Sequence, residues 1–183
     1  EDVERAAHLP TFGVIVHFPK SESDQEAPIM AIRPKSAIAE GYRVLRTNLQ
    51  FSAMGMEKSG TVLLITSALP LEGKTTSLAN LGVSLAQAGK RVLLVDSDLR
   101  RPALHRQFNL QKEVGLTSLL LEQEADTERV IQGTGIEELR VLTCGRIPAN
   151  PAEVLSFPKT AALLERLRPM ADYILLDLSL IHI

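Results

Sequence analysis

The chain has 183 residues, 45% of them hydrophobic and 23% charged, the makeup of one globular domain long enough to bury a sizeable core. A net charge of −2 lacks the basic footprint that a nucleic-acid partner would call for, so none is expected. The single cysteine, Cys144, excludes an internal disulfide and suits a reducing compartment, and no apolar run approaches the roughly 18 residues needed to span a bilayer.

In chain order, a short apolar run, "FGVIVHF", precedes "PKSESDQEAP", a polar, acidic and proline-bounded stretch that reads as a linker or mobile loop. "SAIAEGYRVLRTNLQFS" predicts a helix. Ser36 stands at its N-cap, and Ile38, Tyr42, Leu45 and Leu49 recur at helical spacing to make one apolar face. "TVLLITS", from residue 61, is a continuous apolar run with β-branched residues and predicts a strand buried on both faces of a parallel sheet. The helix after it carries Leu78, Leu81 and Leu85 on one stripe and ends at Gly89, a C-terminal cap. "RVLLVD" predicts a second buried strand, so residues 61–96 form a βαβ unit whose crossover should be right-handed. "GLTSLLLEQ" and "DTERVIQG" read as short helical pieces. "LRVLTCG" and "YILLDL" read as strands, and the segment between them as two short helices split at Pro158. Alternating strands and helices imply an α/β fold with a mostly parallel sheet.

The junction between the first strand and its helix carries the chemistry. Ala68-Leu69-Pro70-Leu71-Glu72-Gly73-Lys74-Thr75 fits a relaxed Walker A pattern, with alanine in place of the first glycine. Backbone N–H groups of such a loop, with the helix N-terminus behind them, point at phosphate oxygens. Lys74 would reach the β- and γ-phosphates of a nucleotide, and the Thr75 hydroxyl would ligate Mg²⁺. Pro70 removes one donor from the front of the loop and stiffens it.

"RVLLVDSDLRRP" ends its strand in Asp96 and Asp98. Alternate residues on an extended chain share a side, so both carboxylates can project together at the sheet edge where the phosphates lie. There they could hold Mg²⁺ through water, and one could accept a hydroxyl proton; an acidic turn capping the next helix is the competing reading. "YILLDL" places Asp177 at a strand end, in the Walker B position. Arg100 and Arg101 read equally well as phosphate helpers or as partners of surface carboxylates. The four histidines are scattered without metal spacing, and Cys144 reads as a small buried hydrophobe.

These three elements in this order, the P-loop, "LLVDSDLRRP" and "YILLD", resemble those of the bacterial tyrosine kinases, the cytoplasmic domains of exopolysaccharide and capsule co-polymerases. "EGYRVLRTNLQFS" is similar to that family's E-x-x-R-x-x-R helix, as Glu40, Arg43 and Arg46. The resemblance implies a P-loop NTPase fold, a doubly wound, mostly parallel α/β sheet flanked by helices, over residues 36–183. Residues 1–35 then resemble a juxtamembrane segment and linker. It implies an ATP- and Mg²⁺-dependent protein-tyrosine autokinase that regulates polysaccharide export. ATP contacts would fall on Leu71, Glu72, Gly73, Lys74, Thr75 and Thr76, catalysis on Lys74, Asp96 and Asp98, and Mg²⁺ on Thr75, Asp96, Asp98 and Asp177. Glu40, Arg43 and Arg46 would contact a neighbouring copy in a ring-like homo-oligomer; their spacing of three also suits ion pairing within the helix. The domain would sit on the cytoplasmic side of a bacterial inner membrane, joined to it only by segments outside this chain.

Two other readings remain. Partition and cell-division ATPases, which work as nucleotide-switched dimers, place a signature lysine where this chain has Leu69, which argues against them. The third is a non-catalytic module that binds nucleotide only to assemble a co-polymerase. After Asp177 the family has a small residue and two prolines, then further strands, helices and a tyrosine-rich tail, whereas this chain reads "LSLIHI". The expectation is a truncated domain whose final residues are foreign to it, with an apolar sheet edge left unpaired.

Overall fold

The computed structural model describes residues 8–16, 27–52, 60–121, 126–156 and 158–179. Most of the acidic linker, His17 and the last four residues, His182 included, therefore lie outside the described residues.

A short helix α1 (Ile29–Ile32) leads into α2 (Ala37–Ser52), which Ser36 caps by accepting the Ala39 N–H at 3.1 Å. The face read from the sequence is the packed one: Tyr42 is buried, and Ile38, Leu45 and Leu49 pack against the same core. Strand β1 (Thr61–Ile65) is followed by α3 (Lys74–Ala86), and β2 (Val92–Asp96) by a one-turn helix α4 (Leu104–Gln107). Then come α5 (Leu116–Leu121), α6 (Thr127–Val130), β3 (Gln132–Gly133) and β4 (Leu139–Leu142). Helices α7 (Pro151–Ser156) and α8 (Pro158–Leu167), with a 3₁₀ turn, lead to β5 (Tyr173–Asp177).

The strands form one sheet in the order β1-β5-β2-β4-β3, parallel except for β3 against β4. Alternation along the central strands feeds two cores. Val92, Leu94, Tyr173 and Leu175 face α1, α2 and α3, while Leu93, Val95 and Ile174 face α5, α7 and α8. This is the doubly wound α/β architecture expected of a P-loop protein. Helix α3 is buried beyond its leucine stripe: Asn80, Gly82 and Ser84 are covered too, because α3 lies between the sheet and α2. It ends as expected near Gly89, whose φ of 75° only glycine adopts freely.

The two-sided burial expected of β1 does not hold. It pairs only with β5 among the described residues, and Leu64 is 51% exposed. A strand is covered on both faces only when elements pack over both, and the described chain covers the Leu63 and Ile65 side better. The sequence "DTERVIQG" reads as helical, but its last two residues form the strand β3, which is too short to show a period. No helix of the described residues is long and apolar enough to cross a membrane.

Candidate active site

The loop between β1 and α3 exposes its backbone where Gly73 takes φ 82°, with no atom within 4 Å of where a Cβ would sit. The first intrahelical bond of α3 runs from the Ser77 N–H to the Gly73 carbonyl at 2.8 Å. The N–H groups of Lys74, Thr75 and Thr76 thus precede the helical ladder, at the positive end of the helix dipole. The front of the loop is held by its own side chains. Glu72 accepts the Leu69 N–H at 2.9 Å, and the Ser67 hydroxyl donates to the Leu69 carbonyl at 2.9 Å. Leu71 is almost wholly exposed at positive φ, so its side chain stands clear of the fold.

The carboxylates arrive from neighbouring strands. Asp96 and Asp177 are register partners at the ends of β2 and β5. Lys74 Nζ lies 3.3 Å from Asp98 Oδ2 and also bonds Asp177 Oδ1, while the Thr75 hydroxyl donates to Asp177 Oδ2 at 2.6 Å. Lys74, Thr75, Asp98 and Asp177 are therefore brought together. Burial pushes the Asp177 carboxyl up, against the lowering effect of its bonds to Lys74 and Thr75.

Asp96 does something else. Its Oδ2 accepts the N–H groups of Ala103 and Leu104 at 3.1 and 3.0 Å, and its Oδ1 is buried without a partner. Full burial, then the neighbouring Asp177 charge, push it up to about 7. Asp98 Oδ1 likewise accepts the backbone of Arg100 and Arg101 at 3.3 and 3.0 Å. The capping turn and the site, alternatives in the sequence, coexist: one oxygen of Asp98 bends the loop and the other meets Lys74.

A cavity of about 490 Å³ opens over these groups, with the phosphate loop on one side and Arg100, Arg101, Arg106 and Gln107 contributing from the β2–α4 loop and α4. Arg106 and Gln107 carried no sequence signal, because α4 is a single turn outside any motif. Hard oxygen ligands suit Mg²⁺, yet no three carboxylate, imidazole or thiolate groups among the described residues are clustered tightly enough to cage a metal alone. That donor set fits an ion that takes one or two carboxylates and completes its shell with phosphate oxygens and water.

The Glu40, Arg43 and Arg46 set divides. Glu40 and Arg43 pair with each other at 2.9 Å on the exposed side of α2. Arg46 turns inward and donates to the Ser84 carbonyl of α3 at 2.9 Å. Tyr42, on the same helix, hydrogen-bonds Ser77 one turn into α3, and burial pushes its hydroxyl up. Cys144 is buried and pushed up to about 12, chiefly by burial, and His105 lies outside the cavity lining.

Residues 72–172 match the family described as the CobQ/CobB/MinD/ParA nucleotide binding domain. The chain is 47% identical over 132 residues to the tyrosine-protein kinase YwqD of Bacillus subtilis, covering 72% of this chain and 54% of that protein. It spans 25%, 62% and 20% of the length of three further curated tyrosine kinases, from Acinetobacter johnsonii, Staphylococcus aureus and Escherichia coli. The solved kinase domain of the Escherichia coli tyrosine kinase ETK superposes with a TM-score of 0.85 at 30% identity, over 97% of this chain and 71% of that one. The cell-division protein MinD of Pyrococcus horikoshii, solved with Mg-ADP, superposes with a TM-score of 0.56 at 28% identity, over 64% of this chain and 48% of that one.

Proposed function

Since the chain belongs to the bacterial tyrosine kinases within the CobQ/CobB/MinD/ParA nucleotide-binding family, we propose that it transfers the γ-phosphoryl group of ATP to tyrosine. The observation that carries this reading is the meeting of Lys74 and Thr75 with Asp98 and Asp177 at the mouth of the phosphate loop. Lys74 and the N–H groups that open α3 bind the β- and γ-phosphates, with Leu71, Glu72, Gly73 and Thr76 shaping that seat. Thr75 and Asp177 hold Mg²⁺, with Asp96 and Asp98 completing its surroundings; the ion supplies charge neutralisation on the phosphates. Asp98 accepts the acceptor's hydroxyl proton as the new O–P bond forms and the bond from the γ-phosphorus to ADP breaks. Asp96, fully buried, holds the loop that carries Asp98.

Both tyrosines of the chain are buried, Tyr42 at 1% and Tyr173 at 5% exposure, so the acceptor is another molecule or a segment outside these residues. The whole protein would regulate exopolysaccharide or capsule export from the cytoplasmic side of a bacterial inner membrane. Residues 1–35 would serve as its juxtamembrane segment and linker, and residues 36–183 as its kinase domain. Copies would assemble in a ring through α2, with Glu40 and Arg43 at the contact and Arg46 bracing the helix from behind. Incubating the chain with Mg-ATP and a tyrosine peptide, then blotting for phosphotyrosine and assaying free phosphate, tests the reading. Phosphotyrosine that disappears in Asp98→Asn supports it. Phosphate release without phosphotyrosine would favour the ATPase switch, against which Leu69 stands, and neither product would favour the assembly module.

A further inference from the structure

We propose that Arg101 and Arg106 form an acceptor-side recognition wall that selects tyrosines flanked by acidic residues; the assignment rests on the kinase reading of the cavity. The segment after β2 alternates anchors and cations. Leu99, Pro102 and Leu104 are buried, while Arg100, Arg101 and Arg106 are exposed. Two carboxylates fix the bend, Asp98 on the backbone of Arg100 and Arg101, and Asp96 on that of Ala103 and Leu104. The loop is therefore tied down while its guanidinium groups stay available.

All three arginines line the cavity that also holds Lys74 and Asp98. Among the described residues none of the three guanidiniums has a carboxylate within ion-pair distance, whereas Arg43, Arg91, Arg140 and Arg168 each hold one. The net charge of −2 makes this concentration of unpaired cations a local feature rather than a property of the whole surface. The nucleotide's phosphates already have a seat on the phosphate-loop side, in Lys74 and the start of α3. These cations line the same cavity as that seat but come from a different segment, so whatever approaches the γ-phosphoryl group through the cavity meets them. A tyrosine is neutral, so the charge they would meet belongs to its neighbours, and guanidinium–carboxylate pairs supply both attraction and geometry.

The test uses two fluorescein-labelled peptides, a tyrosine flanked by glutamates and the same peptide with glutamines. Binding to the Mg-ADP-loaded chain is followed by anisotropy at low and physiological salt, in the natural chain and in R101E/R106E. The expected result is binding of the glutamate peptide about tenfold tighter than the glutamine one, weakening as salt rises. That preference should vanish in the variant while ADP affinity stays within about twofold. Equal binding of the two peptides, or no binding of either, overturns the proposal. So does a loss of ADP affinity of about tenfold or more in the variant, which would assign these arginines to the nucleotide. A phosphotyrosine blot of parallel mixtures charged with Mg-ATP in place of Mg-ADP separates the two layers: acidic preference without transfer would sink the kinase reading and leave the acidic-peptide preference of these arginines standing.

Discussion

The Thr75 hydroxyl donates to Asp177 Oδ2 across 2.6 Å, joining the first turn of α3 to the end of β5. These two residues are the proposed Mg²⁺ holders, so their bond is one that ion binding would have to share or replace. Asp177→Asn keeps the shape but removes the charge. With the natural chain, Mg-ADP at a hundred times its Kd should stabilise the fold by about 2.7 kcal/mol. In Asp177→Asn the increment that Mg²⁺ adds to ADP alone should largely disappear, while that of ADP without Mg²⁺ remains. Thermal denaturation with ADP, with and without Mg²⁺, measures both; an unchanged Mg²⁺ increment would remove Asp177 from the metal site.

Lys74 is also a structural cation. Its side chain, 10% exposed, carries the ammonium group that neutralises Asp98 and a fully buried Asp177. Lys74→Met should therefore do more than abolish transfer. Removing one member of a buried ion pair leaves its partner uncompensated, at a cost of about 3 kcal/mol. Lys74→Met/Asp177→Asn should recover most of that stability and no activity. Denaturant melts of the four members of this cycle decide it, and simple additivity of the two single changes would show that the pair is not coupled.

How much of this was legible beforehand differs element by element. The helix face of Ile38, Tyr42, Leu45 and Leu49, the Ser36 cap and the strands ending in Asp96 and Asp177 follow from local pattern, and they stand where the pattern put them. The one-sided cover of β1 does not follow, because "TVLLITS" is as apolar as a central strand and its edge position depends on where β5 inserts. Spacing placed Asp96 and Asp98 together at the strand end. It could not show that Asp96 spends its bonds on Ala103 and Leu104, since that depends on the path of the following loop. The family resemblance groups Arg46 with Glu40 and Arg43, yet its long side chain reaches Ser84 while its neighbours pair at the surface.

Gly115 tests the packing at the end of β4, where α5 begins. The Leu116 N–H donates to the Thr143 carbonyl at 2.7 Å, and a Cβ on Gly115 would stand 2.1 Å from that same oxygen. It would also come within 2.5 Å of the Gly145 nitrogen. Both obstacles are backbone, so a rotamer change cannot relieve them. Gly115→Ala should cost about 3 kcal/mol, lowering Tm by roughly 6–12 °C for a chain of this size. A Tm within 2 °C or so of the natural chain would mean that this junction yields far more easily than its contacts imply.

At the other end of the sheet, Asp172 accepts the backbone N–H of Arg91 at 2.9 Å and its guanidinium at 2.8 Å. The bond to the Arg91 side chain is the main cause holding the Asp172 carboxyl below the usual range. A carboxyl that is more acidic in the folded state binds fewer protons there than when unfolded. Stability therefore falls as pH drops from its ordinary value through the lowered one, and the contribution is fully present above that window. Asp172→Asn keeps an acceptor for the Arg91 N–H but loses the charge. Its denaturation midpoint should lie below that of the natural chain at pH 7, and the two curves should converge as the solution is acidified below about pH 4. The pair is solvent-facing, with side chains 48% and 35% exposed, so raising salt at pH 7 should narrow the gap as well. A gap that persists unchanged at low pH would mean that the substitution acts through packing rather than charge.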